Sequence, residues 1–153
     1  MAAYFFDTSA LVKRYARETG TKWMISLFRR AREHRFYAAH ITRVETIAAL
    51  ARKERGAHLT PAEFTRAWSR FEREFTNRFV IIEVTPKLLE SAAVLARKHY
   101  LRGYDAVQFA AALDAHTLRV RLKLPALTLV TADKDLLIAA SKEGLSTDNP
   151  ENH

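Results

Sequence analysis

The chain has 153 residues, 48% of them hydrophobic, and carries 25 lysines and arginines against 17 aspartates and glutamates, a formal net charge of +8. That length and apolar content suit one domain with a real core and exclude general disorder, while no apolar run approaches the roughly 18 residues that span a bilayer. Cysteine is absent, which removes disulfides, thiolate metal sites and cysteine nucleophiles together. No secretory signal is recognisable at the start, so a cytoplasmic location is expected. A basic excess of this size points to a polyanionic partner, either nucleic acid or an acidic protein segment.

Ala3–Phe6 is a short aromatic run of the kind that forms a buried strand. It stops at Asp7, followed by two hydroxyl residues, and a helical pattern (Leu11, Val12, Tyr15, Ala16) begins at once. Gly20 breaks that pattern, and Trp23, Met24, Leu27, Phe28 and Ala31 then recur at helical spacing. Phe36–His40 reads as a second strand. Thr42-Arg43-Val44-Glu45 opens the next helix with a capping box, and Val44, Ile47, Ala48 and Ala51 form its expected buried stripe. Thr60-Pro61-Ala62-Glu63 starts a helix whose aromatic side carries Phe64, Trp68, Phe71 and Phe75.

Phe79–Val84 is the clearest strand in the chain, and Thr85-Pro86 begins another helix. After the brief loop Leu101–Tyr104, Asp105 starts a helix with Ala106, Phe109, Ala110 and Leu113 on its apolar side. Leu127–Thr131 reads as the last strand and runs into Ala132-Asp133-Lys134-Asp135 before a final helix. The expected architecture is one α/β domain over residues 1–145, a parallel central sheet with helices on both faces. A polar, frayed tail is expected over 146–153.

Four acids stand at junctions: Asp7 and Asp133 at strand ends, Glu45 and Asp105 in the first turns of helices. Each could be no more than a helix-capping or dipole-facing acid. In a parallel sheet, however, strand ends and the following helix starts share one edge, so these residues can meet there. Carboxylates gathered closely need a cation or a proton. Hard oxygen ligands favour Mg²⁺ or Mn²⁺ over Zn²⁺, and such ions support phosphodiester hydrolysis. An aspartyl phosphatase would want an acid where Ser9 stands, and a nucleotide binder would want glycines in the first loop. Neither is present.

The segments Phe6-Asp7-Thr8-Ser9-Ala10-Leu11, Thr42-Arg43-Val44-Glu45, Leu101 through Gln108, and Thr131 through Leu136 together resemble a PIN domain, specifically the ribonuclease toxin of a VapBC-type toxin–antitoxin pair. The resemblance implies a PIN-like three-layer sandwich and a Mg²⁺- or Mn²⁺-dependent endoribonuclease. It implies Asp7, Asp105 and Asp133 as metal ligands, Glu45 completing the catalytic acids, and Thr8, Thr131 and Asp135 as neighbouring polar positions. It also implies an RNA substrate, a cognate antitoxin, and a homodimer with helices around Phe28 or Trp68 as candidate seams. Lys13, Arg14, Arg43 and Arg102 are candidate RNA contacts from their nearness to these junctions. An RNA-processing nuclease of the same fold is an alternative, as is a non-catalytic basic module that binds nucleic acid or protein.

Overall fold

The computed structural model describes residues Met1–His153. Its centre is a five-stranded, all-parallel sheet: β1 (Ala2–Phe6), β2 (His34–Ala39), β3 (Phe79–Ile82), β4 (Leu127–Val130) and β5 (Ser146–Asp148), in the spatial order β3-β2-β1-β4-β5. Alternation along β1 divides the core in two. Ala3 and Phe5 join Tyr37, Leu127 and Leu129 on one face, covered by α5 (Pro86–His99), α6 (Gly103–Arg121) and α7 (Lys134–Lys142). Phe6 joins Phe36, Ala38 and Val130 on the other, covered by α1 (Thr8–Leu11), α2 (Thr21–Arg29), α3 (Thr42–Arg55) and α4 (Pro61–Arg78). This is the expected three-layer arrangement.

The second face is welded by aromatic rings, with Phe36 meeting Phe6 edge-on at 5.0 Å and Phe28 at 4.9 Å between centroids. Phe28 is therefore core, not a dimer seam, whereas Trp68 remains 43% exposed. On the first face, α6 is a central helix. Its run of alanines (Ala106, Ala110, Ala111, Ala112, Ala115) is buried nearly all round, which lets its backbone approach both the sheet and α5.

Two expectations fail. Helix α3 buries Thr42, Thr46 and Leu50, while Val44 is 70% exposed and Ala51 is exposed, so of the stripe expected at Val44, Ile47, Ala48 and Ala51 only Ile47 packs against the core, and that in part. The threonine methyl groups fill core that a polarity reading assigns to Val and Ala. The segment after Leu145 does not fray. Strand β5 extends the sheet beside β4, Pro150 packs on Gly20, and His153 stacks on Trp23 at 4.4 Å and 5°. Gly20 has φ +93°, and a Cβ there would lie 2.7 Å from the Pro150 carbonyl oxygen.

Order β3-β2-β1-β4-β5 also fixes where a site can form. From β1 the chain steps outward to β2 and β3, then returns to place β4 on the opposite side of β1. The carboxyl ends of β1 and β4 thus flank the point where the winding reverses, the preferred ligand crevice of open α/β sheets.

Candidate active site: an acidic cleft at the sheet edge

Asp7 follows β1 directly, and its backbone N–H donates to Val130 O at 3.2 Å, so it lies at that crevice. Only 3% exposed, its carboxylate accepts from Ser9 Oγ at 2.8 Å, from the Ala10 N–H at 3.1 Å and from Thr131 Oγ1 at 2.9 Å. Burial nonetheless dominates these three donors and pushes the carboxyl from 3.8 up to about 7, with the Asp133 charge adding to the rise. The Ala10 bond is also the N-cap of α1, so Asp7 caps a helix while lining the cleft.

Asp133 likewise caps α7, with Oδ1 accepting from the Asp135 and Leu136 N–H groups. Its Oδ2 lies 3.6 Å from Arg102 Nη2, and Arg102 Nε donates to Asp105 Oδ2 at 3.2 Å. Arg102 is thus a highly exposed clasp between two acids. Asp105, at the third position of α6, is raised by burial and then by the Asp133 charge, against the pull of Arg102. Glu45 is raised by burial and by Asp105, against the Gln108 amide, the Thr8 hydroxyl and Arg52. It makes no capping box: Ile41 is the N-cap of α3, without a side-chain bond, and Thr42 Oγ1 turns inward to Gln108 Oε1 at 3.1 Å.

All four acids line one cleft of about 750 Å³, together with Thr8, Ser9, Arg52, Arg102, Tyr104 and Gln108. Thr131 supports Asp7 from beneath. Asp135 is not part of the lining, although its charge contributes to the raising of Asp105. Reasoning from sequence passed over three residues. Ser9 links Asp7 to the β4 side, accepting from the Ala132 N–H at 3.0 Å; Gln108 reaches Glu45 at 2.7 Å; Arg52 lies on the cleft wall without a carboxylate partner. Arg52 was legible, being two helical turns beyond Glu45; the others needed tertiary structure.

The basic residues expected to meet RNA fare less well. Lys13 is 4% exposed and held between Glu18 at 2.9 Å and Glu151 at 2.8 Å. Arg14 is paired to the buried Glu74 at 2.9 Å, which leaves neither free to meet a phosphate. Arg43 is paired with Glu72 through Nε at 3.0 Å and Nη2 at 2.8 Å, in a groove between α3 and α4. Of the four, only Arg102 is in the acidic cleft.

The donor set is all hard oxygen, three of its carboxyls are raised, and one exposed guanidinium is the only cation paired with them. That chemistry fits a hard divalent ion, although no three acids are drawn close enough to enclose one in this arrangement.

A parallel α/β sheet carrying such carboxylates at its switch point defines a class, and the family comparison agrees. Residues 4–142 match the PIN domain, and the chain belongs to the PIN-domain family. It is 34% identical over 113 residues to ribonuclease VapC45 of Mycobacterium tuberculosis (strain CDC 1551 / Oshkosh), covering 74% of this chain and 76% of that protein, and equally to ribonuclease VapC49 of strain H37Rv. Among solved structures, PAE2754 from Pyrobaculum aerophilum superposes with a TM-score of 0.62 at 21% identity, covering 99% of this chain and 91% of that one. VapBC2 from Rickettsia felis, bound to a promoter DNA fragment, gives 0.59 at 15% identity over 96% and 98%. At these identities the structural likeness speaks for the fold.

Proposed function

We propose that this protein is a Mg²⁺- or Mn²⁺-dependent endoribonuclease, the toxin of a VapBC-type pair. The observation that carries the reading is the convergence of Asp7, Glu45, Asp105 and Asp133 on one cleft, with burial raising three of the carboxyls. Two relatives named as ribonucleases support RNA as the substrate.

Asp7, Asp105 and Asp133 would hold the ion, with Thr131 and Ser9 keeping the Asp7 carboxylate oriented by their hydroxyl hydrogens. When bound, a divalent ion supplies charge stabilisation at a phosphoryl oxygen and an acidified water. Glu45 is the half-buried carboxylate placed to accept a proton from an attacking water. Arg102, released from Asp105, and Arg52, which lines the same cleft, would receive phosphates flanking the cut. Support for an antitoxin partner comes from relatives solved as toxin–antitoxin complexes. The exposed groove of Val44, Ile47 and Trp68 is the surface we assign to a second copy of the chain in a homodimer. No helix is long and apolar enough to cross a membrane, in keeping with action on cytoplasmic RNA.

The test is cleavage of a single-stranded RNA by metal-stripped protein with Mg²⁺, Mn²⁺ or chelator. Cleavage restored by either ion and abolished in Asp105→Asn supports the reading. Undiminished cleavage in chelator, or in Asp105→Asn, overturns it.

A further inference from the structure

We propose that Gln108 is a positioning residue, fixing the carboxylate of Glu45 and tying together the three segments that carry Asp7, Glu45 and Asp105. The inference rests on the nuclease reading and deepens it.

Gln108 is 2% exposed and lies three residues beyond Asp105 on α6. Its Nε2 lies 2.7 Å from Glu45 Oε1, 2.9 Å from Thr42 Oγ1 and 3.3 Å from Thr8 Oγ1, its two hydrogens serving the two nearer acceptors. Those acceptors belong to the first turn of α3, its first residue, and the first residue of α1 immediately after Asp7. One amide therefore joins three elements that are far apart in sequence. Its orientation is fixed by charge: reversing the amide would bring its oxygen within 2.7 Å of a carboxylate oxygen.

The shortest of these bonds is the one to Glu45. A half-buried carboxylate on a cleft wall can be solvated by water, so burying an amide to hold it is not needed for stability. What a fixed donor supplies is direction. The amide holds Glu45 Oε1, and the Thr8 hydroxyl is a second donor to the same carboxylate, so the side chain that lines the cleft no longer samples other rotamers. Thr42 completes the device by returning a hydrogen bond to Gln108 Oε1 at 3.1 Å, so the amide cannot swing away.

The experiment uses Gln108→Met, close in length and volume but without donors, alone and combined with Glu45→Gln. Three quantities are read: Mn²⁺ affinity of the RNA-free protein by electron paramagnetic resonance, kcat and KM on one RNA, and melting temperature. We expect Gln108→Met to fold, to keep KM within about twofold, and to lose about tenfold or more in kcat with weakened Mn²⁺ binding. In the Glu45→Gln background the same substitution should change kcat by less than about twofold, because its effect passes through Glu45. Unchanged kcat and Mn²⁺ affinity overturn the proposal, and so does an equal loss of kcat in both backgrounds, which would make Gln108 a general support. If Gln108→Met does not fold, Gln108→Asn keeps a buried amide but falls short of Glu45, and the same outcomes decide. Failure of the wild type to cut RNA would end the nuclease reading; the Mn²⁺ comparison would still decide the role of Gln108.

Discussion

Replacing Asp7 by asparagine should stabilise the metal-free protein at alkaline pH and leave it nearly unchanged in mild acid. The carboxyl moves from 3.8 to about 7 on folding because it is buried, so between those values the folded state binds a proton that the unfolded state does not. Stability is therefore full below the unfolded value and falls as pH rises through the folded one. At about 1.36 kcal/mol per unit the ceiling on this loss is about 4 kcal/mol. Asparagine escapes it and still accepts from Ser9 and Ala10, but its amide hydrogens face Thr131 Oγ1, which must turn its own hydrogen toward Ser9 Oγ, 3.3 Å away. That rearrangement costs about 1–1.5 kcal/mol. A net gain of about 2–3 kcal/mol remains at high pH, or about 5–10 °C in melting temperature for a chain of this size. Thermal unfolding in chelator at about pH 5 and pH 8.5 reads it. Parallel wild-type and variant curves, or a variant less stable at both values, would refute the claim that Asp7 is held at the expense of its charge.

Arg52→Glu should weaken binding of a single-stranded RNA several-fold and lower the slope of log K against log salt by about one, since Arg52 lines the cleft unpaired; fluorescence anisotropy over a salt series checks this, and an unchanged slope removes Arg52 from the RNA path. Gly20→Ala meets both a positive φ and the Pro150 carbonyl. It should cost about 1–3 kcal/mol while sparing cleavage at low temperature, and an unchanged melting temperature would show that the C-terminal turn is not seated there.

The fold was largely legible because strands and helices alternate with clear caps: Thr60 with Glu63, and Thr85 before Pro86, form as their residue types dictate. The four acids were legible for the same reason, as each marks a junction, and in a parallel sheet the junctions at one end share an edge. What failed was reading side chains by polarity alone. Thr42 and Thr46 are core, and Thr42 serves Gln108, not a capping box. Lys13 is nearly buried because two carboxylates neutralise it, one from nearby Glu18 and one from Glu151 at the far end of the chain. Gln108 could not be placed without tertiary structure, since its partners lie 63, 66 and 100 residues away.

The strand order has a further consequence for how this protein could be divided. A break in the exposed turn at Gly56–His58 would separate two pieces, each with two of the four acids: Asp7 and Glu45 in one, Asp105 and Asp133 in the other. The first piece would own β1 and β2, the middle of the sheet. The second would own β3 on one flank and β4–β5 on the other, with no strand of its own to bridge them. Neither piece can rebuild the cleft, because each half of the acid set hangs on strands whose neighbours belong to the other piece. Interleaving of this kind makes the active cleft a property of the reunited chain, and it would let two inert fragments report their meeting by the cutting of RNA.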